Sequence, residues 1–285
     1  MLIDLNLFFI FYHKVMEIDI EKLRNLFNIK NKVAIVTGAA SGIGKGIACA
    51  FALNGGKVMA TDINKKGLIE TVDIIRKNGH DASMFVADIT NVDDVKNLYI
   101  KTVEIYGNID VLYIVPGINF RKTVDKYSYE EFEKVINVNL KGPFILLKEI
   151  GTKMANNKNG GSIVIMSSIR SVVVEPGQSV YAATKAAIVQ LARAFASEVG
   201  KYSVRVNAIA PSYIDTPLVN QVKSNPEWYR AIAEKTIFKR WGTIYDVIGV
   251  AIFLATEASR FITGSVIFVD GGWTAIDGRF DPPLE

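Results

Sequence analysis

Short apolar runs and longer stretches with helical periodicity alternate along most of the chain. Apolar runs of strand length predict seven strands, at 33–37, 57–61, 83–86, 111–115, 162–167, 204–208 and 266–269. Helical patterns fall between them, at 43–53, 65–77, 93–106, 129–154, 180–199 and 243–256. Continuous apolar runs are typical of strands that helices cover on both faces. The pattern predicts an α/β fold with one doubly wound, seven-stranded parallel sheet.

The two ends of the chain fall outside this alternation. We assign residues 1–29 to an N-terminal extension and 30–285 to a single domain, in which a less regular segment at about 213–240 is the predicted substrate loop. Residues 2–12 are apolar, yet too short to span a bilayer and without the basic start of a signal peptide. An interfacial membrane helix is the alternative, disfavoured because no basic face accompanies the apolar one. We therefore predict no membrane partner.

Charge and rare residues exclude several classes of protein. The 33 Lys and Arg and 29 Asp and Glu give a net charge of +4 without a long basic run, which predicts no nucleic-acid partner. The lone cysteine, Cys49, favours a reducing, cytoplasmic location, and its apolar helical context predicts a buried thiol over a reactive one. Only His13 and His80 are present, neither near a plausible ligand set, so no metal is predicted.

A glycine-rich turn follows the first predicted strand. Its key positions are Gly38, Ser41, Gly42, Ile43 and Gly44. Gly38 permits a sharp turn, Gly42 lets the backbone approach a pyrophosphate, and Gly44 permits close packing of the helix that follows. Free N–H groups at that helix start attract phosphate charge. Although many strand-to-helix turns contain glycines, this position predicts a Rossmann-type nucleotide-binding domain.

Acidic residues end the second and third predicted strands. Asp62, followed by Ile63, stands where a carboxylate accepts hydrogen bonds from an adenosine ribose. A carboxylate repels a 2′-phosphate, so NAD is the predicted cofactor. A turn-forming Asp before Asn64 is the alternative. The third strand closes with Ala87, Asp88 and Ile89. The carboxylate there either reaches the adenine or caps the next helix.

A tyrosine and a lysine are spaced to share one face of a helix. Tyr181 and Lys185 lie four residues apart, and a neighbouring ammonium favours the phenolate form of a group whose ordinary pKa is about 10. Such a phenol suits a general acid or base. Ser168 ends a strand that points to the same crevice, and Asn139 completes the predicted catalytic set.

Together these motifs resemble the short-chain dehydrogenase/reductase family. The resemblance covers residues 30–273 and includes the closing segment 269–272, Val-Asp-Gly-Gly. It implies hydride transfer between nicotinamide and a secondary alcohol or ketone, and commonly a tetramer, so we expect a homotetramer. We further expect the polar, Pro-rich tail at 274–285 to lie across a neighbouring subunit, with disorder as the alternative.

The resemblance also implies roles for single residues. Tyr181 is the implied acid/base, Ser168 the hydrogen-bond partner of the substrate oxygen, and Asn139 the anchor of a water in the proton relay. Lys185 is implied to lower the tyrosine pKa and to hold the nicotinamide ribose. Beside the positions above, implied cofactor contacts are Gly117, Tyr181, Lys185, Pro211, Ile214 and Thr216.

Two segments depart from the family pattern. Residues 114–117 read Ile-Val-Pro-Gly where the family has Asn-Asn-Ala-Gly, so side chains that brace the sheet and the cofactor edge are missing. Pro116 also removes one N–H. The usual Pro-Gly after the sixth strand is Pro211-Ser212. We expect cofactor binding to persist.

Polar residues near the serine and the tyrosine indicate the substrate class. The predicted substrate contacts are Ser168, Arg170, Gln178 and Tyr181. Guanidinium and amide groups suit a polyhydroxylated or carboxylated substrate, unless Arg170 and Arg121 are solvated surface residues. The segment 240–242 and Trp273 resemble those of the sugar, polyol and sugar-acid dehydrogenases of the family, including gluconate 5-dehydrogenase-like members.

Three functions compete at this point. A sugar, sugar-acid or polyol dehydrogenase comes first. A 3-oxoacyl-thioester reductase comes second, disfavoured by Asp62 because reductive biosynthesis generally uses NADP. A non-catalytic nucleotide-binding sensor would explain the altered segment 114–116, but the intact Asn139, Ser168, Tyr181 and Lys185 argue against it.

A chain that begins at Met16 is expected to keep its turnover and its melting temperature. An amphipathic stretch opens at Met16, directly before the domain, and the apolar segment that precedes it has no place in the sheet. The test expresses both lengths and compares thermal unfolding and turnover. A short form that melts clearly lower, or that is released from membranes, would identify the segment as structural or as an anchor.

Overall fold

Seven parallel strands form one sheet in the computed structural model, which describes residues 18–276. The apolar segment 2–12, Met16 and the tail beyond residue 276 therefore lie outside the described residues. The strands are β1 (Val33–Thr37), β2 (Lys57–Asp62), β3 (Ala82–Val86), β4 (Val111–Ile114), β5 (Gly161–Met166), β6 (Val204–Pro211) and β7 (Val266–Val269). The predicted single Rossmann-type domain is confirmed.

Helices connect the strands as βαβ units. Outside the long helix α5 they are α1 (Ile20–Asn25), α2 (Gly42–Leu53), α3 (Lys65–Lys77), α4 (Val92–Tyr106), α6 (Ser179–Val199), α7 (Asn220–Lys223), α8 (Pro226–Lys235) and α9 (Ile244–Leu254). Helix α5 covers residues 129–154 in the consecutive segments Tyr129–Ile136, Asn137–Lys141, Gly142–Leu146, Leu147–Gly151 and Thr152–Met154. The second and fourth segments are π-helical, a feature that helical periodicity does not predict.

The strand order creates a crevice between β1 and β4. The order is β3-β2-β1-β4-β5-β6-β7, so the chain runs outward from β1 to β3 and then returns to the other side of β1. The connections after β1 and β4 therefore leave the sheet in opposite directions. Open α/β sheets bind ligands at this switch point, beyond the carboxyl ends of the strands.

Helices cover both faces of the sheet. Alternate residues of β1 belong to different cores: Ala34 and Val36 pack on one face and Ile35 on the other. The first core includes Ile47, Phe51, Leu68, Val247 and Leu254, from α2, α3 and α9. The second includes Leu98, Leu146, Ile188 and Phe195, from α4, α5 and α6. All five residues of β1 are buried, which accounts for its continuous apolar run.

The predicted substrate loop has a small core of its own. This third cluster consists of Ile169, Tyr213, Val219, Val222, Ile232, Trp241 and Trp273. The Tyr229 and Trp241 rings stack with centroids 4.7 Å apart, and Trp241 Nε1 donates a hydrogen bond to the Tyr229 carbonyl at 2.9 Å. The loop is therefore packed against the domain through aromatic side chains.

The segment between α1 and β1 is attached to the rest of the domain. Helix α1 buries none of its residues, so the predicted amphipathic stretch forms only a short, exposed helix. The Leu26 carbonyl accepts a hydrogen bond from Ala258 N at 2.9 Å, and Ile29 is part of the main core. Within residues 18–276, no helix combines the length and the apolar composition that crossing a bilayer requires.

Candidate active site

A cavity of about 520 Å³ opens beyond the carboxyl ends of the strands. Residues that follow six of the strands line it, among them Gly38, Ala87, Val115, Ser167 and Ser212. The predicted site residues that line it are Gly38, Ser41, Gly42, Ile43, Gly44, Asp62, Ile63, Ala87, Asp88, Ile89, Gly117, Ser168, Arg170, Gln178, Tyr181, Lys185, Pro211, Ile214 and Thr216. Asn139 is the one predicted site residue that does not line the cavity.

The backbone of the turn after β1 requires glycine at three positions. Gly38 and Gly42 have φ values of +72° and +52°, a backbone conformation that favours glycine. A Cβ on Gly44 would lie 2.1 Å from the Gly38 carbonyl oxygen. Ser41 precedes α2 without a capping hydrogen bond from its side chain, so the first N–H groups of the helix stay available. This cradle fits a pyrophosphate.

The two acidic strand ends each serve a turn and also line the cavity. Asp62 accepts hydrogen bonds from Ala40 N at 3.2 Å and from Asn64 N at 2.9 Å, so it braces both the glycine turn and its own turn. Asp88 accepts from the backbone N and the hydroxyl of Thr90, each at 2.8 Å. The turn-forming interpretation of Asp62 therefore applies, whereas Asp88 does not cap the next helix, because Asn91 does. The position of both carboxylates on the cavity remains compatible with an adenosine.

Lys185 is buried beside the tyrosine ring. Its Nζ lies 5.5 Å from the centroid of the Tyr181 ring and donates a hydrogen bond to the Met166 carbonyl at 2.8 Å. A Cβ on Gly117 would come within 3.2 Å of the same Nζ, so glycine is needed to admit the ammonium. Burial lowers the pKa of Lys185 to about 8.

Burial raises the pKa of Tyr181 above its ordinary value. The neighbouring Ser168 hydroxyl and the charges of Arg121 and Arg170 act in the opposite direction without cancelling the effect. The expectation that Lys185 lowers this pKa is not met in this structure, because the phenol is enclosed and the Met166 carbonyl holds the ammonium. The cations that oppose the upward shift are the two arginines.

Asn139 braces the altered segment that follows β4. Its side chain accepts a hydrogen bond from Ile118 N at 2.8 Å, and donates to the Ile118 carbonyl at 2.9 Å and to Thr184 Oγ1 at 3.2 Å. It lies in a π-helical segment of α5, where the extra residue turns side chains relative to a regular helix. The amide thus holds the backbone of Ile118, directly after the altered segment. The water relay stays a prediction.

Near Ser168, Arg170 is buried and Arg121 is largely enclosed. The side chain of Arg170 has an exposed fraction of 4% and that of Arg121 of 13%. Arg170 N donates a hydrogen bond to Ser168 Oγ at 3.2 Å, which fixes the start of the segment that carries the guanidinium. The surface alternative for these arginines is therefore wrong.

Glu175 joins both arginines and was not predicted as a site residue. Arg121 Nη1 contacts its Oε1 and Arg170 Nη2 its Oε2, each at 2.7 Å, and the Tyr213 hydroxyl and Gln178 Nε2 also donate to Oε1. Burial opposes ionisation, but the Tyr213 hydrogen bond and both arginines hold the pKa of the Glu175 carboxyl below its usual value. In the sequence, Glu175 precedes Pro-Gly and resembles an ordinary turn residue.

Comparison with known proteins identifies the family. A family model described as Enoyl-(Acyl carrier protein) reductase matches residues 38–274. The chain belongs to the short-chain dehydrogenase/reductase family. This short-chain dehydrogenase/reductase is therefore an oxidoreductase, and its family binds a nicotinamide cofactor.

Relatives of this short-chain dehydrogenase/reductase differ in substrate. It is 38% identical over 245 residues to 3-oxoacyl-[acyl-carrier-protein] reductase FabG of Thermotoga maritima, covering 86% of this chain and 98% of the relative. It is 33% identical over 255 residues to 2-dehydro-3-deoxy-D-gluconate 5-dehydrogenase of Bacillus subtilis, covering 88% and 98%. A gluconate 5-dehydrogenase from Burkholderia cenocepacia, solved with NADP and tartrate, superposes with a TM-score of 0.85 at 28% identity, covering 88% and 98%.

Replacing Lys185 with Met is expected to stabilise the protein at neutral pH. A pKa reduced from 10.5 to about 8 corresponds to about 3 kcal/mol against the buried ammonium. Lys185→Met removes this cost, so the melting temperature without nucleotide should rise by a few degrees at pH 7. Because the folded protein releases the proton at lower pH than the unfolded chain, the wild type regains stability between pH 8 and 10.5.

Thermal unfolding of both proteins from pH 7 to 10.5 measures this difference. Lys201→Met, a change on the exposed part of the surface, is the matched control. A Lys185→Met advantage that stays constant over this pH range would contradict the assignment of the cost to the buried charge.

Proposed function

We propose that the protein transfers a hydride between NAD and a secondary alcohol or ketone of a sugar, sugar acid or polyol. One observation carries the proposal: a single cavity connects the glycine turn and Asp62 with Ser168, Tyr181 and Lys185. Arg170 and Gln178 line the same cavity, and they suit hydroxyl or carboxylate groups. The similarity to sugar-acid dehydrogenases supports this substrate class.

We assign the proton transfer to Tyr181. When bound, nicotinamide supplies the hydride acceptor for oxidation and the donor for reduction. Loss of hydride from carbon requires removal of the proton from the adjacent oxygen, and the phenolate of Tyr181 accepts it. Ser168 Oγ hydrogen-bonds the same substrate oxygen. The charges of Arg121 and Arg170 favour the phenolate, and the Lys185 ammonium would hold a ribose hydroxyl, while Asn139 positions the segment after β4 and supports the proton relay.

A 3-oxoacyl-thioester reductase is the second candidate. The 38% identity to the Thermotoga maritima reductase favours it. The charged groups of Arg121 and Arg170 at the substrate end disfavour it, because two arginines share the single carboxylate of Glu175 and an apolar acyl chain supplies no second anion. We place the sugar-type substrate first for this reason.

We also propose that the protein is a homotetramer in a reducing compartment. Large apolar side chains are exposed on α4, α5 and near β7, where Ile100, Phe132, Phe144, Phe261 and Phe268 stand open to solvent. Exposed apolar surface of this kind is typical of subunit contacts. Light scattering at micromolar concentration is expected to give four times the chain mass of 31.4 kDa, and a monomer mass would refute the proposal.

NAD is expected to be preferred over NADP by at least tenfold in kcat/KM. The reason is the repulsion between the Asp62 carboxylate and a 2′-phosphate. Asp62→Asn removes the charge and keeps one acceptor oxygen, so one of the two hydrogen bonds from Ala40 N and Asn64 N can persist, and the variant should narrow the preference. Asp73→Asn, a charge change on the surface of α3, is the control. Equal or better use of NADP by the wild type would sink the assignment.

Tyr181→Phe is expected to lower kcat at least a hundredfold, which is the effect of losing a general acid or base. NAD binding should persist because the ring still packs. In the wild type, oxidation should rise with pH as the phenolate forms. Tyr202→Phe makes the same change at an exposed tyrosine that does not line the cavity, and it serves as the control. A Tyr181→Phe enzyme within threefold of the parent would contradict the assignment of the proton transfer to Tyr181.

A further inference from the structure

Two arginines share one carboxylate at the substrate end of the cavity. Arg121 contacts Oε1 of Glu175 and Arg170 contacts Oε2, each at 2.7 Å. Within residues 18–276 neither arginine forms an ion pair with any other carboxylate. Two positive charges and one negative charge leave a single buried positive charge without an anion. An uncompensated buried charge is costly, so the arrangement favours an anionic ligand.

The guanidinium groups keep donors for such a ligand. Each binds Glu175 through one nitrogen, and that nitrogen otherwise contacts only the Tyr213 hydroxyl. Within residues 18–276 the other guanidinium nitrogens form no hydrogen bond, and both arginines line the cavity. A carboxylate binds such donors in a fork geometry.

Aromatic rings restrict where the arginines point. The Arg121 guanidinium lies 5.6 Å from the centroid of the Tyr213 ring and 5.3 Å from that of Trp228. The Arg170 guanidinium lies 5.6 Å from Tyr213 and 5.8 Å from Trp273. Rings on these faces hold the cations by cation–π contacts and limit their movement into solvent. The remaining charge thus stays in the cavity that contains Tyr181.

We infer that Glu175 determines the charge of the substrate: it neutralises one of the two arginines and leaves a site for one carboxylate. The inference rests on the proposed function and deepens it. A neutral polyol leaves the second arginine unpaired, whereas a dicarboxylate brings a second anion for which the cavity has no free charge at this end. Glu175 is a positioning and specificity residue, since it acts through the arginines.

The test uses three ligands with the same six-carbon polyol chain and different charge. Sorbitol is neutral, gluconate carries one carboxylate and glucarate carries two. Isothermal titration calorimetry with NADH present prevents oxidation, so binding is measured without turnover. For the wild type we expect the Kd of gluconate to be at least tenfold below those of sorbitol and glucarate.

The decisive variant is Glu175→Gln, which keeps the size of the side chain and removes its charge. With two uncompensated arginines, the ratio of the gluconate Kd to the glucarate Kd should rise at least tenfold. Glu175→Asp retains the charge and should retain the preference for gluconate. Glu257→Gln is the matched control, because it breaks an ion pair with Lys32 outside the cavity. It should change neither the ratio of the two Kd values nor the preference for gluconate.

Each outcome decides the inference. A Glu175→Gln protein that binds all three ligands more weakly by one common factor would show a structural role only. Unchanged preferences, or a wild type that does not distinguish the three ligands, would also overturn the inference. The proposed function fails separately, through a Tyr181→Phe enzyme that still turns over its substrate. NADH fluorescence and melting temperature verify that every variant is folded and binds nucleotide.

Discussion

The close approach of the backbone at Gly38 and Gly44 determines how helix α2 leaves the sheet. The Gly38 carbonyl occupies the position that a side chain at residue 44 would need, and α2 crosses the end of β1 at that point. Only this packing brings the free N–H groups of α2 to the switch point between β1 and β4. The cavity, which extends from the glycine turn to the arginines, follows from that contact and from the strand order.

The backbone after β4 is held by side chains from outside the segment. With Ile-Val-Pro in place of two asparagines and an alanine, the backbone there is held from two sides. Thr37 Oγ1 donates to the Tyr113 carbonyl at 2.9 Å and accepts from Val115 N at 3.2 Å, while Asn139 binds both backbone groups of Ile118. Backbone polar groups near the core are therefore paired without the family side chains.

The charge of Lys185 and the charges of the two arginines are compensated in different ways. Lys185 is held by a carbonyl, which satisfies a hydrogen bond without supplying a countercharge, so burial lowers the pKa of the ammonium to about 8. The arginines cannot release their protons, so they need an anion, and Glu175 supplies one for two of them. A titratable amine therefore lies beside Tyr181, and a permanent charge lies farther along the same cavity wall.

Local physical rules let the sequence by itself determine the strands, the nucleotide turn and the pairing of Tyr181 with Lys185. Apolar periodicity, the conformational freedom of glycine and helical spacing act between near neighbours, so they can be read from one segment at a time. Only the tertiary structure decided the burial of the arginines, the π-helical segment at Asn139 and the direction of the Tyr181 pKa. Glu175 meets Arg121 across 54 residues and Tyr213 across 38, and the charge and burial that result depend on neighbours that no local pattern specifies.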